Sequence, residues 1–171
     1  CVRQRKRAIG SSSWARGMIH SPPLRQTLSH NWGADMSVRV QLVVNPDAGG
    51  YRLESVLELR EAFRRKGARV TLAHIGPGRQ LMVEDDADLI VVAGGDGTLR
   101  HAAMALLTSG RDLPLACYPM GTVNLLHMEV GGPTQPDEFA HVALNQVKAQ
   151  FHVPATINGE MFFGCASVGP D

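Results

Sequence analysis

The feature that most constrains this chain is the run DLIVVA at residues 88–93, which passes into GGDGT and then into an alanine-rich stretch. A strand this continuously apolar has no polar face to offer water, so it must be covered on both sides. Strands of that kind belong to parallel sheets, where a crossover segment, usually a helix, joins each strand to the next. Ligands of such sheets sit beyond the carboxyl ends of the strands, so the loops that follow strands become the candidate site.

The remaining pattern agrees. VRVQLVV (38–44) is rich in β-branched residues and ends at NPDAGG, a cluster of turn residues. Over 52–66, Leu53, Val56, Leu57 and Phe63 recur at helical spacing, and Gly67 supplies a stop. A second strand is expected at 68–74, a short helix at 79–87, the loop at 94–98 and a helix at 99–108. LPLACYP (113–119) reads as a fourth strand running into PMGTVN, with a short helix from about Asn124 and another at 137–147. From Gln150 the pattern turns to β, with Asn158 and Gly159 as a hairpin turn between ATI and EMFFGCASV. The expected fold over 37–149 is therefore α/β, a Rossmann-like parallel sheet.

The formal charge of +1 hides a division. Residues 1–36 hold six of the 17 Lys and Arg but one of the 16 Asp and Glu, which leaves the leader at +5 and the body at −4. The leader has basic, Ser and Pro clusters and no apolar period, so it reads as a disordered basic segment. Met36 directly precedes the first strand, and the chain opens on Cys, so the leader reads as upstream sequence. Cys1, Cys117 and Cys165 are scattered without metal-ligand spacing, as expected for reduced thiols in a cytoplasmic protein. No apolar run approaches the roughly 20 residues of a membrane span, so membrane contact is expected to be peripheral.

Three loops follow strands directly: NPDAGG, GGDGT and PMGT. Glycine lets a ligand approach the backbone closely. In GGDGT the amides of Gly95, Asp96, Gly97 and Thr98 can converge on a phosphate, helped by the positive end of the next helix. A carboxylate among them makes sense if a cation lies between, or if it takes a proton from an attacking hydroxyl. Asp96 is thus the candidate ligand of Mg²⁺, directly or through water, or the general base. A helix-capping aspartate is the plainer alternative. NPDAGG also suits a simple turn, and in PMGTVN Thr122 suits a helix cap and Asn124 a bond to the backbone.

Together the loops resemble the diacylglycerol kinase catalytic-domain family, which includes bacterial lipid kinases and sphingosine and ceramide kinases. The matching residues are Asn45, Pro46, Gly49 and Gly50; Gly94, Gly95, Asp96, Gly97, Thr98 and Leu99; and Pro119, Gly121, Thr122 and Asn124. INGEMFFGCASVGPD, within 150–171, looks like the family's passage into a β-sandwich domain, most of which is expected beyond Asp171, so the chain reads as a fragment. The resemblance implies transfer of the γ-phosphate of ATP to a lipid hydroxyl, with Mg²⁺ as cofactor and the lipid met peripherally at a membrane. It implies ATP contacts from Asn45, Pro46, Asp47, Ala48 and Gly49, from Gly94, Gly95, Asp96, Gly97 and Thr98, and from Gly121, Thr122 and Asn124. Asp96 is the implied catalytic and metal residue. Nucleic acid is not an expected partner, and a homo-oligomer is left open.

Three departures stand out. Arg100 and His101 follow GGDGTL where the family commonly has Asn-Glu, Leu125 follows Asn124 where many members carry Asp, and His74 falls where a nucleotide-contacting Thr is frequent. A nucleotide-binding or regulatory module without catalysis is therefore the alternative, and NAD kinase, which shares GGDGT, is a more distant one. A Rossmann dehydrogenase fits worse, because the first turn is not G-x-G-x-x-G and the second strand ends in His74 rather than an acid.

Overall fold

The computed structural model describes residues 37–145, 155–157 and 160–162. Strand β1 (Arg39–Val44) leads through helix α1 (Leu53–Arg65) to β2 (Arg69–His74). Then come β3 (Leu89–Gly94), α2 (Asp96–Ser109) and β4 (Leu115–Pro119), two helices, α3 (Leu125–Val130) and α4 (Pro136–Asn145), and two short strands, β5 (Ala155–Ile157) and β6 (Glu160–Phe162). The first four strands form one parallel sheet in the order β2-β1-β3-β4, the α/β architecture that the continuous apolar run requires.

β3 is buried along its whole length, and β1 from Val40 onward. Alternate side chains feed two cores, as a pleated strand dictates. On one face Val40, Leu42, Val44, Leu89, Val91 and Ala93 pack with Val56, Leu59, Ala62 and Phe63 of α1 and Phe139 and Ala140 of α4. Phe139 joins this core edge to face, its ring centre 6.3 Å from Phe63 and 5.1 Å from Tyr118. On the other face Val43, Ile90 and Val92 meet Leu99 and Ala102 of α2. Of the apolar positions that suggested α1, Leu53 and Leu57 face outward; the buried stripe is Val56, Leu59, Ala62 and Phe63.

Two expectations need correction. Residues 79–87 form no helix. They cross the second face without regular structure and end in a turn closed by the Ala87 amide donating to the Glu84 carbonyl at 3.1 Å, with Leu81 and Val83 packed on the core and Met82 exposed. Gln41, a fully buried polar side chain on β1, holds the segment there: its Nε2 donates to the Met82 carbonyl at 2.7 Å, and its Oε1 accepts from the Glu84 amide at 3.2 Å. Backbone satisfied from outside has no need of helical bonds. Second, α2 starts at Asp96, not Leu99, because Gly95 is its N-cap and its carbonyl accepts from the Leu99 amide at 3.0 Å. Asp96, Gly97 and Thr98 are therefore the first helical turn.

β5 and β6 pair antiparallel, Ile157 opposite Glu160, as the hairpin reading expects. The leader 1–36, the end of the predicted 137–147 helix, the turn residues Asn158 and Gly159, and 163–171 lie outside the described residues.

Candidate functional site

The parallel register sets three loops at one level. Val44 lies opposite Ala93, and Gly94 opposite Pro119, so the chain leaves β1, β3 and β4 along the same edge. These loops touch through their backbones. A Cβ added at Gly50 would stand 1.9 Å from the Met120 carbonyl oxygen, and one at Gly121 would stand 2.4 Å from the Gly95 Cα. The Met120 amide also donates to the Gly94 carbonyl at 3.1 Å. Any side chain at Gly50 or Gly121 would push the loops apart.

The first and third loops are closed internally. Asn45 Oδ1 accepts from the Asp47 amide at 3.0 Å, and the Asn45 carbonyl accepts from the Ala48 amide at 3.1 Å. Pro46, Asp47 and Gly49 are exposed, and Ala48 is half-buried. In the third loop Asn124 adopts left-handed backbone, φ 57°, and its amide group grips Gly121 twice: Oδ1 accepts from the Gly121 amide at 2.8 Å and Nδ2 donates to the Gly121 carbonyl at 2.7 Å. Thr122 is exposed beside it. Thr98 is buried, its side chain against Gly94, so it offers the edge its backbone amide.

Asp96 sits where these loops meet. Its carboxylate reaches from the start of α2 to the start of α3, Oδ2 accepting from the Leu125 amide at 3.1 Å and Oδ1 from the Leu126 amide at 3.4 Å. It thus satisfies two of the amides that open a helix, as a capping aspartate does, but across 29 residues of sequence. α3 is also tied to β4, since His127 is buried with Nδ1 3.1 Å from the Cys117 carbonyl. Burial, and after it the charge of Asp96, push the neighbouring Cys117 thiol up to about 12.

Sequence reading missed Arg100 in its actual role. Its Nε donates to the Met161 carbonyl at 2.6 Å, and Met161 is buried, so Arg100 fastens β6 to α2. Its acceptor lies 61 positions away, beyond any local signal. His74, at the exposed edge strand β2, is itself exposed. No group of three or more His, Cys, Asp or Glu suited to a metal occurs among the described residues. A cavity of about 150 Å³ lies elsewhere, between β4, α3 and α4, walled by Leu115, Cys117, His127, Val130 and Phe139 and by none of the loop glycines that meet at the edge.

A parallel α/β sheet with three backbone-packed glycine loops at its carboxyl edge defines a domain of the kind that presents main-chain amides to a ligand. The diacylglycerol kinase catalytic domain matches residues 39–155, and the chain belongs to that family. It is 35% identical over 118 residues to each of two Pseudomonas aeruginosa proteins named "Probable lipid kinase YegS-like", one from strain UCBPP-PA14 and one from PAO1. The match covers 67% of this chain and 38% of each relative, so the chain spans well under half of their length. Its fold is similar to the crystal structure of a diacylglycerol kinase from Bacillus anthracis, at 25% identity and a TM-score of 0.56, over 72% of this chain and 45% of that one.

Proposed function

We propose that this chain is the nucleotide-binding part of an ATP-dependent lipid kinase, which passes the γ-phosphate to the hydroxyl of diacylglycerol or a related lipid. The observation that carries the reading is a division among the glycines. Gly50, Gly94, Gly95 and Gly121 are hemmed in by the chain itself. At Gly49 and Gly97 a Cβ would meet nothing within 4 Å, and neither has a positive φ. Packing and backbone conformation ask for no glycine there, whereas a polyphosphate lying on bare amides does.

The amides of Asp96, Gly97 and Thr98 are the first of α2 and have no partner within the helix, and the helix dipole favours an anion beside them. Asn45 to Gly49 and Gly121 to Asn124 would flank that anion. Asp96 is held half-buried by two amides, and its oxygens keep capacity for a further partner. It fits Mg²⁺, directly or through water, because Mg²⁺ takes one or two carboxylates and draws its other ligands from phosphate and water. When bound, the ion supplies charge neutralisation across the transferring phosphoryl group. Val123, Leu125 and Met128 stand exposed next to Thr122, an apolar surface suited to an acceptor met at a membrane. Among the described residues no helix is long and apolar enough to cross one.

A second reading, a nucleotide-binding module without transfer, is favoured by Arg100 and His101 where the family commonly has Asn-Glu and by Leu125 where many members carry Asp, with Arg100 committed to Met161. ATP binding by this chain, set beside transfer of labelled γ-phosphate by a lengthened chain to vesicles containing diacylglycerol or sphingosine, with NAD as a soluble acceptor, tests both readings. Labelled lipid supports the kinase, ATP binding without transfer selects the module, and labelled NAD overturns the choice of acceptor. Where transfer occurs, Asp96→Asn should lower its rate at least about a hundredfold. A rate near that of the unaltered chain would remove Asp96 from the mechanism.

A further inference from the structure

The loops NPDAGG, GGDGT and PMGTVN carry two acids, Asp47 and Asp96, and no Lys or Arg. A polyphosphate settling there needs positive charge beyond one metal ion and the partial charges of amides. A fourth loop reaches the same edge. His74 lies opposite Val44, and the Ile75 amide donates to the Val44 carbonyl at 2.9 Å, so the chain leaves β2 level with β1.

The next residues fold back on the first loop. A Cβ at Gly76 would stand 2.9 Å from Asp47 Oδ2 and 3.9 Å from Asn45 Oδ1. Pro77 and Gly78 then form the centre of a turn closed by the Arg79 amide donating to the Gly76 carbonyl at 3.0 Å. Gly78 has φ +72°, and proline followed by such a glycine is the signature of a type II turn, which keeps its end Cα atoms within about 7 Å. The fold thus fixes Arg79 close to the loop of Asn45 and Asp47.

Arg79 is exposed, and its guanidinium makes no ion pair or hydrogen bond among the described residues, not even with Asp47. Other cations beside the site are engaged. Arg52 Nη1 donates to the Tyr51 carbonyl at 2.8 Å, and Arg100 Nε to that of Met161.

We propose that Arg79 binds the polyphosphate of the nucleotide, its planar fork taking phosphoryl oxygens in pairs. This inference rests on the ATP reading above and adds to it the cation that the three recognised loops lack. Calorimetric titration of the chain with Mg²⁺-ATP and with inorganic tripolyphosphate tests it. Arg79→Ala should weaken both about tenfold to a hundredfold, with an unchanged thermal midpoint because the residue is exposed. Arg79→Lys should recover part of the loss as a point charge without the fork. If Arg79→Ala binds ATP within about twofold of the unaltered chain, the assignment of Arg79 falls while the ATP reading stands. If ATP weakens and tripolyphosphate does not, Arg79 serves the base or ribose and the inference is likewise overturned. If the unaltered chain binds no ATP, both readings fall.

Discussion

At the amino ends of the strands side chains hold the sheet together, and at the carboxyl ends backbone does. Arg39 opens β1 and grips Asp88, just before β3, with Nε to Oδ2 at 3.1 Å and Nη2 to Oδ1 at 3.1 Å, while the Arg39 amide donates to Oδ2 at 2.9 Å. Arg111, between α2 and β4, donates to the carbonyls of Ala87 and Glu84. At the other end Gly50 lies on Met120 and Gly95 on Gly121, with Asn124 as the main side-chain clasp. The first end spends its polar groups on itself. The second keeps the opening amides of α2 outside the helix's own bonding and side chains out of the way, which is what a ligand site requires.

The comparison breaks most severely at Gly50. A methyl there would collide with the Met120 carbonyl, a backbone atom that cannot swing aside. Gly50→Ala should lower the thermal midpoint by roughly 10 °C or more and abolish nucleotide binding with it. A midpoint within a few degrees of the unaltered chain would show that the loops are not packed as described.

Asp88 tests the opposite end. Burial alone would raise its carboxyl, but hydrogen bonds from the Arg39 side chain and amide, together with the charges of Arg39 and Arg111, outweigh burial and hold it below the ordinary 3.8. A carboxyl depressed in the folded state contributes stability that is present above 3.8 and is lost as pH falls through its folded value. Asp88→Ala should therefore lower the midpoint by roughly 3–6 °C near neutrality, with the difference shrinking below pH 3.8. Because the site is remote, ATP affinity should hold within about twofold. A difference that grows on acidification would refute the sign.

The strands and loops were legible because burial on both faces and turn chemistry leave marks within a few residues. DLIVVA could only be an inner strand, and GGDGT could only be a turn into a helix. What stayed hidden depends on partners far away in sequence. The 79–87 segment is held out of a helix by Gln41, 41 positions from the carbonyl it binds, and nothing in the segment records that. Asp96 could be named as a candidate carboxylate, yet its grip on α3 depends on β3 and β4 lying side by side. The role of Arg100 was not legible because its acceptor belongs to β6.

Gly97 offers the finest test, because it separates the demands of folding from those of binding. It lies in the first turn of α2, φ is not positive, and a Cβ would enter open space. Alanine is the better helix residue by about 1 kcal/mol in a helix interior and by less at its start. Gly97→Ala should therefore leave the thermal midpoint unchanged or raise it by about 2 °C. If phosphate rests on the bare backbone, the added methyl intrudes on that space, and ATP affinity should fall about tenfold, or 1.4 kcal/mol by the usual conversion. The two readouts then move in opposite directions, which no purely structural role for the glycine explains. Equal affinity in both proteins would mean that the ligand does not approach this turn, and the open space above Gly97 would need another cause.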